Sequence, residues 1–160
     1  MKPPVASMLI LCLFSLFVSA RAEDVIPPVS PSESESSSSV LTSQAWEALA
    51  SKDYATAKAR IARCRDLYEA KAKEMQETLS VVPGPDTARE FWALNDVGTC
   101  LFILGKVAEA EGKNSEAIAA YQDVIKNFPM AQCWDKQGWF WQPAVAAKER
   151  LTALTFDSAK

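Results

Sequence analysis

The sequence predicts an all-α protein: an antiparallel array of helix-turn-helix units with a C-terminal capping helix. From Ser43 onward, apolar residues recur every three or four positions, which is the period of a helix with one buried face. No stretch alternates apolar and polar residues with the period of a strand. Capping residues and helix breakers divide the periodic region into segments of helical length. These three observations predict the fold class.

The composition excludes several classes of function. The chain has 160 residues and no histidine, which removes the usual general base, the Ser-His-Asp and Cys-His nucleophile systems and the commonest zinc ligand. The formal net charge is -3, whereas proteins that bind nucleic acid usually carry an excess of positive charge. Four carboxylates are candidates for acid–base chemistry, but each is interpreted first as a solubilising charge: Asp96, Glu109, Glu111 and Glu116. We expect no enzyme, no metal, no cofactor and no nucleic-acid partner.

Residues 1–22 have the pattern of a secretory signal peptide. Lys2 supplies the positive charge, residues 5–18 are almost wholly apolar, and Ala20 and Ala22 place small residues at the cleavage position. The apolar run is shorter than the roughly 20 residues of a membrane-spanning helix. We therefore predict cleavage near Ala22 and a mature chain that is periplasmic or secreted, with no membrane span.

Residues 23–40 are predicted to be a disordered linker rich in Pro, Ser and Glu. Proline fixes φ and removes a backbone donor, and the Ser/Glu tract has nothing to bury against the entropy cost of ordering. The folded helical domain is expected over 41–156, followed by a short tail at 157–160.

The first two predicted helices differ in length. The first is capped by Ser43 and runs to Ser51. The second is capped by Asp53 and continues for about seven turns until Pro83-Gly84-Pro85 ends it. Its apolar stripe consists of Tyr54, Ala57, Ile61, Cys64, Tyr68, Met75 and Leu79.

Three further helices follow. The third starts at Asp86 or Thr87, runs to about Glu111 and is apolar on most sides, so we expect it at the centre of the array. Ser115 is the predicted cap of the fourth helix. After a tryptophan-rich segment, Pro143 suits the first position of the capping helix.

A spaced motif lies between Gly98 and Ala131. A large apolar residue, a Leu-Gly pair, a small residue, a packing alanine, an aromatic residue and a final proline occur in order, as Leu101, Leu104, Gly105, Ala108, Ala117, Tyr121 and Pro129. This pattern resembles a tetratricopeptide repeat, with Leu101 and Ala108 in place of the family's Trp and Tyr. A degenerate copy lies at about 41–69. The small Gly105, facing Ala117, is expected to let the two helices approach closely.

The resemblance implies a short solenoid whose concave groove is lined by the first helix of each repeat and receives a peptide. In this chain that groove would use Asn95, Thr99, Phe102 and Lys106. The function it implies is a protein-protein interaction module with a protein or peptide partner, acting as an adaptor or scaffold in an envelope or secreted complex.

The most unusual stretch contains Trp134, Trp139 and Trp141. One interpretation is an aromatic surface that anchors a peptide or a sugar ring, which would make the protein a carbohydrate- or cell-wall-associated accessory module. The other is that these rings close the end of the helix array. Because Trp139 and Trp141 lie two positions apart, they cannot share one helix face, and we expect at least one ring to stay partly exposed.

Three cysteines remain after the predicted cleavage, and cysteines of exported proteins often pair. Antiparallel packing of successive helices favours a disulfide between Cys100 and Cys133. A pair between Cys64 and Cys100 comes next. That all three thiols are free and buried is the remaining alternative.

Overall fold

The computed structural model describes residues 37–135 and 137–157, and helices make up most of this part of the chain. The elements are α1 (Ser38–Ala50), α2 (Tyr54–Glu77), a 3-10 helix (Ala88–Phe91), α3 (Trp92–Ala110), α4 (Asn114–Asn127), β1 (Cys133–Trp134), β2 (Phe140–Trp141) and α5 (Pro143–Asp157). The predicted signal peptide at 1–22, residues 23–36 of the predicted linker and residues 158–160 of the tail lie outside the described residues.

The mostly helical class is confirmed, but a short β-hairpin was not predicted. β1 and β2 pair antiparallel, with Cys133 opposite Trp141 and Trp134 opposite Phe140. The amide of Asp135 donates to the carbonyl of Trp139 at 2.8 Å across the turn. Gly138 lies in the turn with φ of 105°, a conformation that favours glycine. Two residues per strand are too few for a period of two to appear in the sequence.

Helix α1 begins at Ser38 rather than at the predicted Ser43. The side chain of Ser37 caps it by accepting from the amide of Val40 at 3.4 Å, and Leu41 lies on its buried face. Three residues assigned to the linker, 38–40, therefore belong to the helix. The sequence did not reveal this start, because serine is favoured both at helix caps and in disordered tracts.

The predicted caps of the next helices had different outcomes. Asp53 caps α2 as predicted, because its carboxylate accepts from the amide of Thr56 at 3.1 Å. The prediction that Ser115 caps α4 was wrong: α4 begins at Asn114, and Lys113 at the cap position makes no side-chain hydrogen bond. The third helical region opens as a 3-10 turn before it becomes α3.

Helix α3 is the centre of the protein, as its all-round apolar sequence predicts. It packs against each of the other four helices, and α1 and α5 lie on it as second neighbours. Among the described residues, Ala88–Ala110 is long and apolar enough to cross a bilayer, but 72% of its apolar window is buried inside the protein. The helix is thus a core element of the fold.

Two glycines within α3 allow neighbouring parts of the chain to pack close to this helix. A Cβ at Gly105 would meet the ring of Tyr121, so this ring, rather than the predicted Ala117, occupies the space that the glycine leaves. A Cβ at Gly98 would lie 2.8 Å from that of Ala131, which leads into the hairpin. The glycines therefore set how closely α4 and the hairpin approach α3.

Candidate binding groove

A groove of about 720 Å³ lies between α1, the 3-10 helix and start of α3, and the β-hairpin. Four of the five tryptophans line it, namely Trp46, Trp92, Trp134 and Trp141, and we call it the tryptophan groove. Trp46, Trp92 and Trp134 are 36%, 44% and 51% exposed. Indole rings that keep this much surface open to solvent are frequent anchors for ligands.

Aromatic neighbours hold these indoles in place. Trp92 packs edge-on against Tyr68 with a centroid distance of 5.6 Å. Trp134 packs against Phe140 at 5.0 Å across the hairpin. Each indole is thus fixed by another ring of the protein while part of its surface faces the groove. Such preorganised rings lose little conformational entropy when a ligand binds.

Phe102 lies beneath the groove rather than in its lining. Its buried ring contacts Trp46, Tyr121 and Trp141 at centroid distances of 6.2, 5.7 and 5.5 Å. The sequence placed Phe102 in the binding face, and the structure gives it the role of a support for two groove tryptophans. Lys106, the last residue of that predicted face, does not line the groove.

Asn95 and Thr99 line the groove, and their polar groups are used inside the protein. The Asn95 amide donates to the carbonyl of Ala88 at 2.7 Å and accepts from the amide of Gln132 at 2.9 Å. The Thr99 hydroxyl donates to the Asn95 carbonyl at 2.8 Å. The bond from the Gln132 amide ties the segment before the hairpin to α3, and Asn95 and Thr99 form the floor of the groove.

Asp96 is a groove residue that the sequence analysis interpreted as a surface charge. The Ser38 hydroxyl donates to its carboxylate at 2.5 Å, and burial raises the pKa of Asp96 above its ordinary value. The spacing could have revealed it, because Asp96 lies one helical turn after Trp92. Three more charged residues line the groove: Glu47, Arg89 and Asp135.

The three described cysteines are free thiols. The neighbouring Cys64 thiol and burial together raise the pKa of Cys100, and the Thr42 hydroxyl lies 3.4 Å from its sulfur. Cys133 lies in the groove lining, 3.0 Å from the Thr99 hydroxyl, and burial raises its pKa to about 12. Cys100 and Cys133 therefore have different neighbours, and the disulfide favoured between them stays a prediction. Protonated thiols are poor nucleophiles.

The three tryptophans of this segment differ in their surroundings, so neither of the two interpretations of the sequence applies to all of them. Trp141 packs on Phe102, as a closing ring would. Trp134 lies in the groove, whereas Trp139 is 50% exposed and does not line it. The expectation that Trp139 or Trp141 keeps exposed surface agrees with this arrangement.

A second concavity, of about 330 Å³, lies between α2, α3 and α4, and we call it the charged groove. Lys58 and Glu111 form an ion pair at 2.8 Å across it, and Arg65 and Asp123 approach to 3.6 Å. Four of its five charged side chains are therefore paired with one another, and the fifth, Glu116, is exposed. In the part of the chain that the structure describes, no group of three or more Cys, Asp or Glu side chains could hold a metal ion.

The chain has no match among protein-family models, curated proteins or solved structures. The resemblance of residues 98–131 to a tetratricopeptide repeat therefore rests on the motif itself.

Proposed function

We propose that the tryptophan groove binds an extended segment of a partner polypeptide, and that the protein is an exported adaptor or scaffold of an envelope or secreted complex. The observation that carries the proposal is the set of three half-exposed indoles in one groove of about 720 Å³. Aromatic anchors in a preformed concavity are typical hot spots of protein recognition.

The arrangement of the helices supports the proposal. In a short solenoid of tetratricopeptide type, α1 and α2 are one repeat, α3 and α4 are the next, and α5 is the capping helix. The groove is lined by α1 and α3, which would be the first helix of each repeat, and these two helices touch. This is the face that receives peptides in such arrays.

The chemistry of the lining suits a peptide. Trp46, Trp92 and Trp134 offer apolar contact for side chains. Polar side chains between them can reach the backbone amides that an extended peptide leaves unpaired: Ser43, Arg89, Gln132 and Gln137. A volume of about 720 Å³ lies within the range of about 300–1,000 Å³ that encloses drug-sized ligands, so a few residues of the partner would fit.

A matched pair of tryptophans in one hairpin tests the proposal. Peptides selected on the protein from a random displayed library are titrated by fluorescence polarisation. Trp134→Ala should weaken their binding at least tenfold, about 1.4 kcal/mol, because it removes an anchor. Trp139→Ala is the control: it removes an equally exposed ring outside the groove and should change binding less than twofold. Equal losses for the two variants would place the site elsewhere.

A carbohydrate- or cell-wall-associated binding module is the second candidate. The observation that favours it is the position of Arg89 and Asp96 beside half-exposed indoles, since sugar rings stack on aromatic faces and bond polar neighbours. Soluble glucan or peptidoglycan fragments should then quench the tryptophan fluorescence, and Trp92→Ala should reduce the response. Peptide binding without a glycan response would favour the first function.

A further inference from the structure

The proline segment 25–31, Val-Ile-Pro-Pro-Val-Ser-Pro, has no role in the function proposed so far. It precedes α1 and contains the spacing Pro-x-x-Pro at Pro28 and Pro31. Segments with this spacing favour the polyproline II conformation, which leaves their backbone carbonyls unpaired and their ring faces outward. The surfaces that bind them are grooves lined with aromatic side chains.

The tryptophan groove has the properties that such a segment requires. Three half-exposed indoles offer flat apolar faces for proline rings. Donors in the lining, Arg89 and Gln137 among them, can reach the unpaired carbonyls. The eight residues from Val25 to Ser32 carry no charge, which suits an aromatic lining.

The described residues that follow this segment begin at the edge of the groove. Ser37 caps α1, Ser38 bonds to Asp96 in the groove wall, and Ser39 is itself part of the lining. The chain therefore enters α1 at the edge of the groove. The six residues back from Ser37 to Pro31 can span about 20 Å at 3.1–3.6 Å per residue. The path along α1 from Ser38 to Trp46 is about 12 Å.

We propose that the chain's own segment 25–31 occupies the tryptophan groove and competes with the partner for it. The inference rests on the proposed function, because it assumes that the groove binds extended polypeptide. A short tether gives the segment an effective concentration of about 1 mM. A segment that binds with an intrinsic Kd of about 0.1 mM then lowers the apparent affinity of any partner about tenfold.

The test measures binding of a fluorescein-labelled synthetic peptide of residues 23–36 to the full chain. Pro28→Ala with Pro31→Ala weakens the tethered copy, so the variant should bind the free peptide about tenfold more tightly than the unaltered chain. Acrylamide should also quench its tryptophans more strongly, because the indoles are uncovered. Ser34→Ala with Ser36→Ala is the matched control and should behave like the unaltered chain.

The other outcomes overturn the inference in distinguishable ways. Equal affinity and equal quenching in all three chains would show that the segment does not occupy the groove. Protection of the tryptophans that disappears on dilution of a dimer would assign the segment to a second copy. If library-selected peptides bind through Trp134 but the 23–36 peptide does not, the inference fails and the proposed function stands. If no peptide binds, both fail.

Discussion

The tryptophan groove and the charged groove are both concave, and they differ in what their lining side chains already contact. In the charged groove, Lys58 is paired with Glu111, so these two charged side chains already bind each other. In the tryptophan groove, Trp92 and Trp134 are held by rings on one side and keep 44% and 51% of their surface exposed. The comparison teaches that a site is recognised by side chains that keep exposed apolar surface rather than by the depth of a concavity.

The largest expected effect concerns the thiol of Cys133, which reports on how closed the floor of the tryptophan groove is. Burial raises its pKa from the ordinary 9.0 to about 12, so the reactive thiolate is scarce at pH 8. Alkylation of Cys133 in the folded protein should be at least about a hundredfold slower than in the unfolded chain, because less thiolate forms and the sulfur is less accessible. Quenched-flow labelling followed by peptide mass spectrometry measures the rate. A fast reaction at pH 8 would mean that the floor is open to water.

The next effect concerns Asn95, which ties the approach to the hairpin to α3. Asn95→Leu leaves the Ala88 carbonyl and the Gln132 amide without their buried partner. Unsatisfied buried groups cost about 1–3 kcal/mol each, so the loss of both bonds should lower the free energy of unfolding by about 2–6 kcal/mol. Urea denaturation measures it. A loss below 1 kcal/mol would contradict the role of Asn95 as the link between hairpin and helix.

A smaller effect concerns the charge of Asp96 in the groove wall. Burial raises its pKa, so the folded state holds the proton more tightly than the unfolded state. Its ionised form therefore costs stability above the folded-state pKa, and this cost is relieved as the pH falls through that value. Asp96→Asn should stabilise the protein at pH 7 and not at pH 3, as urea denaturation at both values would show. A destabilised variant at pH 7 would mean that the carboxylate is needed in its ionised form.

The smallest effect belongs to the charged groove. Lys58 is 39% exposed on its side chain, and exposed ion pairs contribute about 0–1 kcal/mol. Lys58→Met should therefore change the free energy of unfolding by less than about 1 kcal/mol and leave peptide binding unchanged. Fluorescence polarisation with the library-selected peptides checks the binding. Weaker binding in Lys58→Met would remove the distinction between the two grooves.

The helices could be predicted because their signals are local. Asp53 and the apolar stripe of α2 lie within one segment, and the continuous apolar surface of α3 marks it as central. The start of α1 at Ser38 was missed because serine caps resemble a disordered serine tract. The hairpin was missed because a two-residue ladder has no detectable period.

The site could be predicted only where the resemblance or an unusual composition pointed to it. Asn95 and Thr99 came from the resemblance, and Trp134 from its unusual segment, and all three line the groove. Trp46 and Trp92 were missed as groove residues because only packing of α1 beside α3 brings them to the hairpin. The proximity of residues nearly a hundred positions apart is a property of the fold, which no local pattern carries.

The five tryptophans allow the most direct test of the tryptophan groove as the binding site. Each gives one indole N–H resonance in a nitrogen-edited NMR spectrum, and each is assigned by a single Trp→Phe variant. Titration with a library-selected peptide that lacks tryptophan should shift the resonances of the four groove indoles and leave that of Trp139 unchanged. A shift of the Trp139 resonance while the other four stay in place would contradict the assignment of this groove as the site.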